Sequence, residues 1–317
     1  MSTIDLVDLE LRELLEQQPK LRLTSEKLQK SRTFILKNVK STKETDSPDL
    51  SVSEIFVDSI FDAPPIRILA YVPTKSRRLL PTILHVHGGG FVMGVPEMKD
   101  SENRELASQL ECAIFSVDYR LAPESPYPSA LQDVFSVLIW LHSNARKLGL
   151  DGERIGLKGE SGGGGIAAAV ALYSRDMQGP PIAFQHLIYP MIDDRTAVRQ
   201  DLHPYVGEFV WTQEHNLFGW QALLGRTPGS DGVSPYAAAA RASDLSGLPP
   251  TFIAVGGLDL FFEENMFYAN RLSRAGVPVE FHLYPGAYHG FQVATKARIS
   301  KQATRDSYDA LRRFLLG

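Results

Sequence analysis

The sequence RIGLKGESGGGGIAAAVALY, residues 154–173, decides the fold. Its opening residues predict a short buried strand, and its alanine-rich end predicts a helix. The pentapeptide Gly159-Glu160-Ser161-Gly162-Gly163 lies at the junction, where a sharp strand-to-helix turn raises a serine hydroxyl above a sheet. The glycines on either side of the serine leave room for neighbouring backbone. The pattern predicts a nucleophile elbow with Ser161 as the nucleophile; a glycine-rich turn that binds phosphate is the alternative.

Short apolar runs alternate with helical patterns along the chain, which is typical of a mostly parallel sheet flanked by helices. The first two runs alternate with period two around a proline-containing turn, so they predict an antiparallel hairpin. The predicted strands are 53–59, 66–72, 81–86, 112–118, 154–158, 183–189, 250–255 and 279–284. The predicted helices are 100–110, 129–147, 162–177, 262–275 and 299–315. The fold class is therefore α/β, with an eight-stranded sheet.

Two stretches do not fit this strand-helix repeat. Residues 1–50 open with a helical pattern and continue into a polar segment, and residues 192–225 lie in a connection far longer than a normal crossover. We assign both stretches to a helical cap over the sheet. Residues 51–191 and 226–317 then form the catalytic core of one compact unit.

Composition excludes several classes of function. The chain has 33 Lys and Arg against 37 Asp and Glu, a net charge of −4, which makes nucleic acid a poor partner. No stretch approaches the roughly 18 apolar residues of a membrane span. The N-terminal residues mix charges into their apolar positions, unlike a secretory signal, and Cys112 is the sole cysteine. We expect a cytoplasmic protein in which Cys112 packs in the core.

A glycine loop follows the predicted strand 81–86, with the sequence His87-Gly88-Gly89-Gly90. Backbone N–H groups in such a loop can stabilise the negative charge that develops on a substrate oxygen. Glycine suits this task because the backbone itself must approach the substrate. We expect Gly88, Gly89 and Gly90 to form an oxyanion hole together with the N–H of Gly162; a flexible glycine turn is the alternative.

A serine nucleophile needs a histidine as base and a carboxylate that orients the histidine. In folds with an elbow of this kind, the three residues follow one another along the chain in the order serine, acid, histidine. His289 lies in a loop after the last predicted strand, whereas His282 alternates within that strand, so His289 is the predicted base.

The predicted acid is Asp259, four residues beyond the strand 250–255. Sites form at this carboxyl edge of a parallel sheet. Glu263 and Glu264 are the competing carboxylates, but they are predicted to lie in the first turn of a helix, stabilised by its dipole.

A histidine pair, His85 and His87, shares one face of a predicted strand and raises the question of a metal site. No further cluster of ligand residues accompanies the pair in the sequence. The preferred interpretation is a buried histidine that hydrogen-bonds to the glycine loop, with no metal.

These motifs together resemble the bacterial hormone-sensitive lipase family of esterases, from about residue 60 to the C-terminus. The resemblance also includes DYRLAPE at 118–124, YPMIDDRT at 189–196, LSGLPP at 245–250 and HGF at 289–291. It implies an α/β-hydrolase fold, Ser161, Asp259 and His289 as the catalytic triad, the HGGG oxyanion loop and no cofactor. It also implies that the segment Tyr119 to Glu124 braces that loop, with Arg120 and Glu124 paired to buried neighbours.

Two departures from the family pattern stand out. The family usually has Asp-Ser-Ala at the elbow, where this chain has Glu160-Ser161-Gly162, and its Asp-Pro-Leu-Arg acid motif is replaced by Asp259-Leu260-Phe261-Phe262. The N–H of Gly162 is still available for the oxyanion, because that role needs only backbone.

The resulting hypothesis is a carboxylic-ester hydrolase that acts on short to medium acyl esters through an acyl-enzyme intermediate. An amidase or peptidase with the same triad, or a non-catalytic binding protein on the same scaffold, is the alternative. Five aromatic residues are candidates for an acyl pocket, although cap core is the commoner role: Phe91, Phe209, Trp211, Phe218 and Trp220. The exposed last strand, 279–284, is an edge that predicts a homodimer.

Overall fold

The predicted eight-stranded sheet is present in the computed structural model, which describes residues 2–17, 23–39, 48–76 and 78–316. Its strands lie in the order β1-β2-β4-β3-β5-β6-β7-β8, with β1 and β2 antiparallel and β3 to β8 parallel. The α/β fold class is therefore confirmed. The strands are β1 Leu50–Val57, β2 Ile66–Pro73, β3 Leu80–Val86, β4 Ala113–Asp118, β5 Leu150–Glu160, β6 Gln185–Ile188, β7 Thr251–Gly256 and β8 Val279–Tyr284.

Successive residues of the central strands pack into two separate layers. Ile83 of β3 belongs to a hydrophobic cluster with residues of two helices, the one that precedes β4 and the one at the C-terminus. The next residue, Leu84, belongs to a different cluster, which includes residues of the helix that follows the elbow. Side chains alternate across a sheet, so neighbouring residues serve opposite faces. Burial on both faces explains why this strand is apolar nearly throughout. Cys112 lies in the first of these clusters and is fully buried, as predicted.

The helices lie between the strands, close to the predicted ranges. None of those in the described residues is both long and apolar enough to cross a membrane. The helices are α1 Leu9–Gln17, α2 Ser25–Asn38, α3 Asp100–Leu110, α4 Ser129–Asn144, α5 Gly162–Asp176, α6 Gln213–Leu224, α7 Phe262–Arg274 and α8 Arg298–Leu316.

Strand β5 is four residues longer at its start than the predicted 154–158. Leu150 pairs with Leu80 of β3 across an irregularity in the register, so a tertiary partner extends the strand. Strand β8 lies at the edge of the sheet and is only partly buried, as its alternating pattern indicated.

The described residues of 1–50 and 192–225 contain helices and irregular chain, apart from the start of β1 at Leu50. The two stretches touch each other, because Thr3 donates its N–H and its hydroxyl to Glu208, at 2.5 and 2.6 Å. The N-terminal stretch also reaches the loop after β8, where the N–H of Asp8 donates to the carbonyl of Gly286 at 3.0 Å. Residues 18–22 and 40–47 of the predicted cap lie outside the described residues. The cap therefore stays a prediction.

Candidate active site

Ser161 lies in the turn between β5 and α5, with φ 54° and ψ −123°. A side chain rarely adopts this left-handed backbone, which costs free energy and needs support from its surroundings. The N–H of Ser161 donates to the carbonyl of Ile188 at 2.9 Å, and its carbonyl accepts from the N–H of Met191 at 3.0 Å. A Cβ at Gly163 would lie 2.2 Å from the His87 carbonyl, so only glycine fits there. The local sequence thus forms the predicted elbow geometry.

Three predicted residues, Ser161, His289 and Asp259, lie in one hydrogen-bonded line. Ser161 Oγ is 3.0 Å from His289 Nε2, and His289 Nδ1 is 2.8 Å from Asp259 Oδ2. The second oxygen of Asp259 accepts the N–H of Phe261 at 2.9 Å. Because Nδ1 faces a carboxylate acceptor, it carries the imidazole proton and leaves Nε2 free to accept from the serine. All three side chains are buried.

The competing candidates lie elsewhere. His282 Nε2 bonds to Glu280 at 2.8 Å on the edge strand, and Glu263 lies 3.4 Å from Arg199. Glu263 and Glu264 do occupy the first turn of α7. At Glu264, burial, with a smaller contribution from nearby Asp193, raises the pKa well above the ordinary range, so its stabilisation by the helix dipole stays a prediction.

Aromatic rings surround His289 on several sides. The ring centroids of Tyr189, Phe261 and Trp211 lie 4.5, 5.2 and 6.2 Å from that of the imidazole. Burial raises the pKa of the Tyr189 hydroxyl well above its ordinary value, so this neighbour stays uncharged. Such surroundings exclude water, which strengthens the electrostatic interactions of the histidine.

The glycine loop faces the start of α5. A Cβ at Gly162 would lie 2.8 Å from the backbone nitrogen of Phe91 and 3.0 Å from that of Gly90. Gly89 and Gly90 have φ values of 130° and 57°, which favour glycine. Within the described residues, the N–H groups of Gly89, Gly90 and Gly162 have no hydrogen-bond acceptor. These donors are available to an oxygen atom, and Gly88 lies beside the same turn.

The family model for the α/β-hydrolase fold matches residues 83–293. The chain belongs to the α/β-hydrolase family. It is 37% identical to the esterase LipI of Mycobacterium tuberculosis over 85% of this chain and 84% of the relative. It is 31% identical to an arylesterase of Saccharolobus solfataricus over 76% of each chain. Its fold is similar to that of a bacterial heroin esterase, with a TM-score of 0.93, 33% identity and complete coverage of both chains.

The resemblance to the hormone-sensitive lipase type of α/β-hydrolase is thereby confirmed. The segment after β4 contacts the glycine loop of this α/β-hydrolase. The Tyr119 hydroxyl donates to the His87 carbonyl at 2.8 Å, and the two rings stack with centroids 4.3 Å apart. The N–H of Ala122 donates to the carbonyl of Phe91 at 3.0 Å. These contacts fix the loop at both ends of its glycine run.

Arg32 on α2 makes a further contact with this loop that the sequence did not reveal. Its guanidinium donates to the carbonyls of Val92, at 2.7 Å, and Ala122, at 2.9 Å, and forms a bidentate pair with Glu124, with both distances 2.8 Å. The side chain of Arg32 thus connects the N-terminal stretch with both the glycine loop and the segment after β4. No local signal marks Arg32, which lies in a helix of mostly polar residues.

A network of buried charges lies beneath the elbow. Glu160 accepts from His85 Nε2 at 3.0 Å and pairs with Lys158, which lies 2.9 Å from Glu102. Lys99 also pairs with Glu102, at 2.6 Å. Burial alone would raise the pKa of Glu160, but Lys158 and His85 lower it well below its ordinary value. At Glu102 the charges of Lys158 and Lys99 also outweigh the effect of burial and lower the pKa of the carboxyl group to about 2. Lys158 and Glu160 share one face of a strand, and that spacing is the signal that could have predicted their pairing.

Of the predicted histidine pair, His85 belongs to this network, whereas His87 contacts the glycine loop. Both nitrogens of His85 are engaged, by Ser116 Oγ at 2.7 Å and by Glu160. His87 Nδ1 donates to the carbonyl of Gly88 at 2.8 Å, the predicted bond to the glycine loop. Within the described residues, no group of three His, Cys, Asp or Glu side chains could bind a metal ion.

The five aromatic candidates for an acyl pocket occupy different places. Trp211 covers Gly90, where an added Cβ would lie 2.1 Å from the indole ring. Phe91 and Trp220 are fully buried and pack edge to face at 5.0 Å. The remaining two are partly buried and pack against the hydrophobic clusters, namely Phe209 and Phe218.

Proposed function

We propose that this chain hydrolyses carboxylic esters of short to medium acyl chain, with Ser161 as the nucleophile, His289 as the base and Asp259 as the orienting acid. The observation that supports this most is the unbroken hydrogen-bonded line from Asp259 through His289 to the hydroxyl of Ser161. The relatives named as esterases support the same reaction.

Acylation begins when His289 Nε2 takes the Ser161 proton while Oγ bonds to the ester carbonyl carbon. The carbonyl π electrons move to oxygen and give a tetrahedral oxyanion. When this species collapses, the bond to the alcohol oxygen breaks, and the alkoxide takes the proton from His289. The product is an acyl-serine and a free alcohol.

Deacylation repeats these steps with water in place of the serine. His289 takes a proton from water as the water oxygen bonds to the acyl carbon, and the second oxyanion collapses with release of Ser161 Oγ. The serine recovers its proton from His289, and the carboxylic acid leaves. Asp259 keeps the imidazole in the tautomer that each step requires and stabilises the imidazolium that forms.

The oxyanion donors proposed for both steps are the N–H groups of Gly89, Gly90 and Gly162, with Gly88 supporting the loop. Each such donor contributes about 3–4 kcal/mol to the transition state in comparable sites. Their lack of internal acceptors supports this role, because a preorganised donor needs no rearrangement when the charge develops.

The preference for short to medium acyl groups is supported by Trp211. This indole lies over Gly90 and also beside His289, with ring centroids 6.2 Å apart, so it limits the space above the nucleophile. We further propose that residues 1–50 and 192–225 form a cap, supported by the bonds between Thr3 and Glu208. A homodimer through β8 stays a prediction, which light scattering would test.

The test is hydrolysis of p-nitrophenyl esters from acetate to palmitate by matched variants. His289→Gln is compared with His282→Gln, and Asp259→Asn with Glu263→Gln, because each second residue is the competitor from the sequence. We expect His289→Gln to lower kcat by about 10⁶-fold and Asp259→Asn by about 10⁴-fold. The two control variants should keep wild-type rates.

Each alternative reaction has its own outcome in this assay. Full activity in His289→Gln, or loss of activity in His282→Gln alone, would contradict the assignment. Matched p-nitroanilides distinguish an amidase, which would cleave both substrate classes at similar rates. A protein that binds but does not turn over any substrate would be the non-catalytic alternative.

A further inference from the structure

A pocket lies away from the elbow, between the turn Asp194–Ala197 and helix α7. Its volume is about 380 Å³, and neither the proposed triad nor the glycine loop lines it. This volume is enough for a small organic molecule, since ligand pockets begin at about 300 Å³. Three of the residues that line the pocket suggest that it binds a ligand: Glu264, Tyr268 and Arg271.

The Tyr268 hydroxyl is the first sign of a ligand. The side chain is 1% exposed, and its oxygen has no hydrogen-bond partner within the described residues. Leaving a buried hydroxyl unsatisfied costs free energy, and phenylalanine would fill the same space without that cost. Tyr268 is one of the residues that line the pocket, and an acceptor on a ligand would satisfy its hydroxyl.

Arg271 supplies positive charge to the same wall. Its guanidinium donates to the carbonyls of Ala240, at 2.7 Å, and Ala242, and forms no ion pair within the described part of the chain. The other two arginines that line the pocket do have carboxylate partners: Arg195 pairs with Asp193 and Arg199 with Asp201. Arg271 is therefore the cation in the pocket whose charge is not balanced by an acid.

Glu264 does not cancel this charge. Its Oε1 accepts the N–H groups of Ile192 and Asp193, at 2.8 and 3.2 Å. Its Oε2 completes no hydrogen bond of normal geometry within the described residues, although the Thr196 hydroxyl interacts with the group. Burial, with a smaller contribution from Asp193, raises the pKa of Glu264 well above the ordinary range, which favours the neutral form that can donate a hydrogen bond.

We propose that this pocket binds a small organic monocarboxylate, held by the guanidinium of Arg271 and the hydroxyl of Tyr268. Arginine presents a fork of donors that matches a carboxylate, and a tyrosine hydroxyl adds a third donor. The half-exposed ring of Phe267 offers an apolar surface for the rest of the ligand. A dianion such as phosphate fits less well, because the acidic side chain of Asp193 also lines the pocket and disfavours a second negative charge on the ligand.

The test is isothermal titration calorimetry of the full chain with benzoate as the probe. Tyr268→Phe is the cleanest variant, because the hydroxyl that it removes makes no internal hydrogen bond. Arg271→Gln removes the charge, and Arg274→Gln is its matched control, an exposed arginine on the same helix that does not line the pocket. Circular dichroism and thermal unfolding without benzoate show whether each variant is folded.

We expect Arg271→Gln to weaken benzoate binding by about tenfold or more, and Tyr268→Phe by about threefold to tenfold. Arg274→Gln should bind like the wild type. Without benzoate, Tyr268→Phe should melt no lower than the wild type, because it loses only an unsatisfied group. This combination of equal or higher stability with weaker binding is not expected of a merely structural tyrosine.

Unchanged benzoate affinity in folded Tyr268→Phe and Arg271→Gln would overturn the proposal, since benzoate would then bind elsewhere, including beside Ser161. Absence of any benzoate binding would overturn it as well. If inorganic phosphate binds more tightly than benzoate and depends on Arg271, the pocket exists but the carboxylate class is wrong.

Discussion

Replacement of Glu160 by glutamine removes one negative charge from the buried network beneath the elbow. Glu160 is 4% exposed and contacts both Lys158 and His85. In the variant, Glu102, at 2.9 Å, is the one carboxylate partner that Lys158 keeps among the described residues. The buried ammonium of Lys158 and the partly exposed ammonium of Lys99 then share one carboxylate.

The expected loss of stability follows from this imbalance. Removing one partner of a buried ion pair costs about 3–5 kcal/mol, because the remaining charge is left without compensation. Glu102 still offsets part of the charge of Lys158, so we expect about 3 kcal/mol for Glu160→Gln. Glu54→Gln is the control: Glu54 is half-exposed and pairs with Arg67, so its loss should cost less than about 1 kcal/mol.

Urea unfolding at pH 7, followed by circular dichroism, measures both variants against the wild type. Glu160→Asp, which restores the residue usual in the family, should fall between Glu160→Gln and the wild type. Shortening by one methylene withdraws the carboxylate by about 1.5 Å, which lengthens its contacts but keeps the charge. A loss below about 1 kcal/mol in Glu160→Gln, with an unchanged denaturant slope, would refute the reasoning.

Three further predictions concern the oxyanion loop and the buried histidines. Gly90→Ala should lower kcat by about 10²–10³-fold, because its Cβ would meet the indole ring and displace an oxyanion donor; normal kinetics would contradict this. Arg32→Met should lower kcat/KM about tenfold, because the glycine loop loses the hydrogen bonds that position it. Lys30→Met, on the same helix, should leave kcat/KM unchanged. Burial lowers the pKa of His87 from 6.5 to about 4 and of His186 from 6.5 to about 3. Below pH 6.5 the unfolded chain therefore binds more protons than the folded chain, and the free energy of unfolding decreases as the pH is lowered, by about 2 kcal/mol per histidine at pH 5. In His186→Phe, the urea midpoint should therefore decrease less than in the wild type as the pH is lowered.

The sequence predicted those features of the fold that depend on short-range patterns. The elbow could be predicted from the order of strand, Ser161 with its flanking glycines and alanine-rich helix, because all of these signals lie within twenty residues of sequence. His289 could be distinguished from His282 because a loop residue at the edge of a parallel sheet is free to point over it, whereas a strand residue is not. The eight strands follow from alternation and apolar runs.

Long-range partners could not be predicted in this way. Arg32 contacts Val92 and Glu124 across 60 and 92 positions of the chain, and nothing near it in the sequence indicates those partners. Glu264 has the spacing of an ordinary first-turn acid, and only tertiary packing buries it. The start of β5 is set by the pairing of Leu150 with Leu80, so its boundary also depended on a partner distant in sequence.

The central claim is that Ser161 carries the acyl group, and covalent labelling tests it most directly. The wild type and Ser161→Ala are treated with a fluorophosphonate, digested and analysed by mass spectrometry, with hydrolysis of p-nitrophenyl butyrate measured in parallel. Ser246→Ala, an exposed serine on a turn, is the control. We predict one adduct per chain on the peptide with Ser161, and loss of both adduct and hydrolysis in Ser161→Ala alone. An adduct on another residue, or hydrolysis that persists in Ser161→Ala, would contradict the account.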